Sequence, residues 1–188
     1  IPAPTNILGD ISNDFVLVYL NSVPDKVTII KLADSTSINL NLSSVKSLCI
    51  SRNSEDGVVF FLGSTGPNGV ATVRACTLGG CPLNKRINPP ADMSGHSGWG
   101  QSLFCDEDGL YIGAYLPDQT TQTNDEVVIK YTFVPSSGGG ATGEYREPSP
   151  AKRYYSPNSQ NHQFGRTISK NSEGLIIGAE DGFFIFPN

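Results

Sequence analysis

The sequence predicts an all-β fold assembled from internal repeats. Helical periodicity is almost absent, whereas short runs rich in Val, Ile, Phe and Tyr recur along the chain. Turn-forming pairs punctuate those runs: Asn13-Asp14, Asp56-Gly57, Asn68-Gly69, Gly79-Gly80, Asp108-Gly109, Glu173-Gly174 and Asp181-Gly182. The sequence also resembles itself. VKSLCISRNSEDGVVFFLGS (Val45 to Ser64), GQSLFCDEDGLYIGAY (Gly100 to Tyr115) and GRTISKNSEGLIIGAE (Gly165 to Glu180) each give a strand, a polar turn ending in Gly, and an apolar strand ending in Gly plus a small residue. ISNDFVLVYLNS (Ile11 to Ser22) is a fainter copy with Asn21 at the glycine position. Asn21, Gly63, Gly113 and Gly178 stand 42, 50 and 65 residues apart, and the widest gap holds a low-complexity insertion. The underlying period is therefore roughly 45–50 residues, which suits a four-stranded β-propeller blade.

The elements follow in order. Within a repeat the first two strands are those just described. A third strand comes next: KVTIIKL, VATVRACTL, DEVVIKYTFV and GFFIF in the four repeats. A more polar fourth strand follows in SINLNLS, PLNKRIN and YREPSPAKRYY, as expected of an outer strand facing water. The chain reads as one domain, 1–188, with repeats at about 5–43, 44–90, 98–155 and 163–188. The Gly-, Ser- and Pro-rich stretch 135–161 reads as a flexible insertion around one short strand. The last repeat stops after its third strand, Phe183, Phe184, Ile185 and Phe186, which leaves an apolar edge. Pro2 and Pro4 make the N-terminal segment a poor cover for it. The expectation is a compact four-bladed propeller, part of a larger one, or an edge completed by another copy of the chain.

Composition narrows the function. Net charge is −5, and no Lys/Arg cluster extends beyond NKR and AKR, so a nucleic-acid partner is not expected. No apolar run is long enough to span a bilayer as a helix. The start at Ile1 suggests a processed product.

WGQSLFCDEDGLYIGAY and FGRTISKNSEGLIIGAE resemble FG-GAP repeats, the blades of integrin-α-like β-propellers. Phe164-Gly165 with Gly178-Ala179 matches that pattern closely, and Trp99-Gly100 with Gly113-Ala114 matches it with Trp for Phe. The Val45 repeat keeps Gly63-Ser64 but lacks the aromatic-Gly start. The resemblance implies extracellular or surface work in adhesion, ligand binding or scaffolding. Some members bind calcium in a blade turn of Asp-x-Asp-x-Asp-Gly type. Here Asp106, Glu107 and Asp108 are consecutive in a short turn, where neighbouring side chains alternate faces and cannot all reach one ion. No metal or other cofactor is therefore expected.

GHSGWGQSL (Gly95 to Leu103) superficially resembles a hydrolase nucleophile elbow around Ser97. Trp99 stands where the second glycine is required, and a strand follows instead of a helix. Trp99 is expected to pack between blades, and no enzymatic activity is expected. His96 and His162 precede the two aromatic-Gly pairs, and two histidines alone do not complete a zinc site. Tyr115, Tyr154 and Tyr155 either stack on a ligand or cover blade edges.

Cys76 and Cys81 bracket the turn TLGG and are expected to form a disulfide. Cys49 and Cys105 lie in apolar strands, and their state is open. Asn41 begins an N-glycosylation sequon, and Thr120–Thr123 and Pro135–Pro157 offer O-glycan sites. The expected function is a non-catalytic extracellular module for adhesion, ligand binding or scaffolding, with protein or glycan partners. The alternatives are a structural subunit of a self-assembling surface filament and, less favoured, a secreted hydrolase or lectin-like domain.

Overall fold

The computed structural model describes residues 7–11, 14–20, 26–42, 44–51, 60–65, 71–81, 86–93, 98–115, 126–135, 143–157 and 163–188. Its architecture is all-β, in four antiparallel sheets that follow the chain. Sheet 1 holds β1 (Ile7–Ile11), β2 (Phe15–Leu20), β3 (Lys26–Lys31) and β4 (Ser37–Asn41) in that order. Sheet 2 holds β5 (Val45–Ile50), β6 (Phe60–Thr65), β7 (Ala71–Cys76) and the short β8 (Arg86–Ile87). One 3₁₀ turn, Ala91–Met93, leads on to sheet 3. Sheet 3 begins with β9 (Trp99–Asp106), β10 (Gly109–Ala114) and β11 (Val127–Pro135). Sheet 4 holds β14 (Thr167–Lys170), β15 (Gly174–Ala179) and β16 (Gly182–Pro187). Among the described residues no closed barrel or ring of sheets is evident.

The described part of the insertion is more regular than a loop around one strand. It supplies two strands, β12 (Gly143–Arg146) and β13 (Arg153–Tyr155), both paired with the same strand, β11. β12 pairs with Thr132–Pro135 and β13 with Val127–Ile129, so together they form one outer position interrupted in the middle. The sequence around Pro148 and Pro150 explains the break, because proline cannot donate to the ladder.

Alternation along each strand gives every inner sheet two buried faces. Sheets 1 and 2 meet through Leu17, Tyr19, Val27 and Ile29 on one side and Leu48, Ile50, Phe60 and Leu62 on the other. The opposite face of sheet 2, with Cys49, Phe61, Val73 and Ala75, packs on Trp99, Leu110, Ile112 and Ile129 of sheet 3. Tyr111 and Val128, on the other side of sheet 3, pack with Phe164, Leu175 and Ile177. Three apolar clusters thus fill the three seams between consecutive sheets. The first strands carry the stack, β1 packing on β5, β5 on β9 and β9 on β14.

Two disulfides are present, one within sheet 2 and one between sheets 2 and 3. Cys76 pairs with Cys81 around the turn in which the Thr77 and Gly80 amides and carbonyls exchange hydrogen bonds. Cys49 pairs with Cys105, whose Cα atoms lie 5.7 Å apart, and so joins the first strands of sheets 2 and 3. The sequence left this pairing open because strands from different repeats have no fixed spacing. The two loops differ greatly in length, 56 against 5 residues. Chain-entropy arithmetic gives about 4 kcal/mol for the first and about 2 kcal/mol for the second. The double variant Cys49→Ala/Cys105→Ala is therefore expected to lose about twice as much stability in denaturant titration as Cys76→Ala/Cys81→Ala. Equal losses would contradict this.

Candidate functional site

The residues singled out by the repeat pattern converge on the seams. In sheet 2, Ser47, Gly63 and Val73 lie side by side across β5, β6 and β7. In sheet 3, Ser102, Gly113 and Val128 form the matching row across β9, β10 and β11. In each row the serine hydroxyl donates to a glycine carbonyl at the head of the next sheet. Ser47 Oγ reaches Gly100 O at 2.7 Å, and Ser102 Oγ bonds Gly165 O.

The row glycine makes room for that carbonyl. A Cβ at Gly63 would lie 1.9 Å from Gly100 O, and one at Gly113 would lie 2.6 Å from Gly165 O and 2.0 Å from Ser102 Oγ. Gly100 and Gly165 themselves have φ of 73° and 91°, a region that side chains disfavour. The row valine closes the seam, Val73 lying against Gly100 and Val128 against Gly165.

The aromatic before each of these glycines anchors the seam. Trp99 is 1% exposed, donates from Nε1 to Ile87 O at 3.2 Å, and meets Tyr131 edge-on. Phe164 is fully buried against Phe184 and Phe186. Its turn is held by the Glu126 carboxylate, which accepts the Gln163 and Phe164 amides at 2.9 Å each. Glu126 escaped sequence reasoning because its partners are far away in the chain. The hydroxyls were legible: Ser47, Ser102 and Thr167 occupy one column of the stacked repeats.

The acidic turn works as a turn and as an anion. Asp106 Oδ1 accepts the amides of Asp108 and Gly109, and Asn171 Oδ1 does the same for Glu173 and Gly174 in sheet 4. The outward oxygens of Asp106 and Asp108 both face the Lys170 ammonium, at 2.8 Å in the case of Asp106. A lysine from the next sheet thus sits against the carboxylates weighed for calcium. Its hydrogen bond holds Asp108 below the usual carboxylate range, and the two carboxylates raise Lys170. Burial pushes Tyr111, beside them, up to about 12. Among the described residues no group of His, Cys, Asp and Glu is arranged to hold a metal ion.

A cleft of about 180 Å³ opens beside this turn, lined by Phe61, Asp106, Asp108, Phe133 and Tyr145 among others. That is below the roughly 300 Å³ at which small-molecule sites begin. Farther out, Arg153 bridges Asp92 at 2.6 Å and Glu147 at 2.5 Å, tying β13 to the 3₁₀ turn after sheet 2.

Tyr154 packs against Phe186 and Tyr111, which makes it part of the sheet 3–sheet 4 seam. Tyr155 is 50% exposed, and Tyr115 is partly buried. Asn41 is exposed at the end of β4. His96, Ser97, His162, Asn21, Pro2, Pro4 and Thr120–Thr123 lie outside the described residues. The chain matches no protein-family model, and no curated protein matches it.

Two predictions follow from the seams. Gly63→Ala and Gly113→Ala are each expected to cost about 3 kcal/mol in urea unfolding, because the new methyl displaces backbone. Gly79→Ala, whose Cβ would find nothing nearer than 3.6 Å, should be close to neutral. Comparable effects at all three positions would refute the close-approach argument.

The Lys170 clasp has a pH window. Asp108 is lowered on folding, so its contribution is complete above about pH 4 and fades as pH falls through the folded value. Lys170 is raised, so its contribution persists to about pH 10 and fades above. Lys170→Met should cost about 1 kcal/mol at neutral pH, given the exposure of Asp108. Melting curves of the variant and the parent should converge in acid, and an unchanged gap at low pH would count against the clasp.

Proposed function

We propose that the chain is a non-catalytic extracellular module of FG-GAP-like propeller blades, whose work is adhesion or scaffolding through its surfaces. The observation that carries this reading is the repeated seam. The residues most specific to the repeat, Trp99, Gly100, Gly113, Phe164 and Gly165, are spent on joining one sheet to the next. These residues lie beneath neighbouring sheets, which leaves the outer surfaces to meet partners.

The consecutive packing of first strands supports a blade-like arrangement. Two disulfides fit an oxidising, extracellular setting, and no described helix is long and apolar enough to cross a membrane. The exposed Asn41 is accessible for glycosylation.

The test is an adhesion assay. A surface coated with the folded, disulfide-bonded chain is expected to retain cells or matrix material, and the same coating after reduction and alkylation should not. Equal retention by both coatings would defeat the reading. For the blade arrangement, small-angle scattering at high dilution should give a radius of gyration of about 16 Å, that of a compact domain of this length. A markedly larger value would mean an extended row of sheets.

A further inference from the structure

We propose that Arg74 and Arg86, side by side on the outer half of sheet 2, form a binding site for a doubly charged tetrahedral oxyanion, a phosphate or sulfate group. The site goes beyond the adhesion reading and does not depend on it.

Strand register places the two side chains together. Arg74 of β7 lies directly opposite Arg86 of β8, and the neighbouring pair is Val73 with Ile87. Val73 and Ile87 are buried toward sheet 3, so Arg74 and Arg86 project from the opposite face. On that face their row continues inward through Leu62 and Leu48, which pack on sheet 1. Two guanidinium groups thus stand at the margin of the seam between sheets 1 and 2. Side chains directly opposed across two strands start about 5 Å apart, and like charges so placed repel.

Among the described residues no carboxylate answers them. The Nε of Arg74 is buried and has no hydrogen-bond acceptor, and neither arginine enters an ion pair. A buried donor on a charged group is costly to leave unpaired, and native structures rarely do so. The sequence supplies the reason. Between Asp56 and Asp106 the only acidic residue is Asp92, and Asp92 is bonded to Arg153.

Sheet 3 holds a paired arginine at the same position. Ile129 and Arg153 repeat the register of Arg74 and Arg86, beside Val128 and Tyr154. Arg153 has Asp92 at 2.6 Å and Glu147 at 2.5 Å. Asp92 reaches it from the 3₁₀ turn in the link between sheets 2 and 3. The link between sheets 1 and 2 is Leu42, Ser43 and Ser44, with no acid to offer. Sheet 2 therefore carries a second arginine where sheet 3 has Ile129, and a carboxylate for neither.

Charge and donor geometry define the ligand. Each guanidinium presents a planar fork of N–H donors that matches an oxyanion. A dianion balances both positive charges, whereas a single carboxylate leaves one over and has fewer oxygens to share between two forks. The net charge of −5 repels an extended polyanion, so the fit is to one compact group.

Calorimetric titration of the folded chain in chloride buffer tests the proposal. Inorganic phosphate and sulfate should each bind saturably, one per chain, and acetate at least about tenfold more weakly. Arg86→Gln, at an exposed position, should weaken phosphate binding about tenfold or more, and Arg74→Lys, which keeps the charge and loses the fork, about tenfold. Phosphoserine separates two sources of the group. Binding at least as tight as that of inorganic phosphate assigns the site to a monoester, and markedly weaker binding assigns it to the free ion. Melting gives a second readout. With the repulsion relieved, Arg86→Gln should melt no lower than the parent in chloride, and the parent should gain more than the variant when phosphate replaces chloride at equal ionic strength. No saturable phosphate binding by the parent overturns the proposal, as does equal binding by Arg86→Gln or acetate binding as tight as that of phosphate.

Discussion

Two of the three seams depend on one close approach: a glycine carbonyl at the head of a sheet, seated against a glycine of the preceding sheet and held by a serine hydroxyl. Both glycines are needed, one to leave space and the other to turn the backbone. The hydroxyl is needed because a buried carbonyl without a donor is costly. Once that contact sets the spacing, the aromatic just before the second glycine falls into the seam. Side-chain alternation along the strands then fills the remainder with Leu, Ile, Val and Phe.

Charge has a secondary part. The acidic turn first satisfies its own backbone, since Asp106 spends one carboxylate oxygen on the two amides of its hairpin. The remaining oxygens of Asp106 and Asp108 face outward, where Lys170 from the next sheet neutralises them. Arg153 does comparable work for the insertion, joining β13 to Asp92 of the 3₁₀ turn and to Glu147 in the link from β12. Both clasps lie along the margins of seams that apolar packing has already formed.

Much of the fold was legible because the repeat is local. Strand, polar turn, Gly and apolar strand lie within about twenty residues of one another, and stacking three copies exposes Gly63, Gly113 and Gly178 at once. An outer strand was legible in YREPSPAKRYY, but its division into β12 and β13 was not, because the pairing of each with β11 is decided by tertiary contact. Neither was the Cys49–Cys105 bridge or the capping by Glu126, each of which joins residues from different repeats. Trp99 and Phe164 are buried in the seams, and the hydroxyl column beside them stands in the stacked repeats. Its meaning depends on which carbonyl lies opposite, and that is set only when the sheets stack.

The bridge between β5 and β9 has a mechanical consequence. Tension applied to the two ends of the chain passes from Cys49 to Cys105 through the covalent link and bypasses the segment between them. That segment, 56 residues by sequence separation, represents about 190 Å of contour length that a pulled molecule cannot release while the disulfide is intact. Sheets 1 and 4, and the strands of sheet 3 that follow Cys105, have no such shield. Under oxidising conditions the segment between Cys49 and Cys105 is therefore inextensible, and reduction converts it into slack.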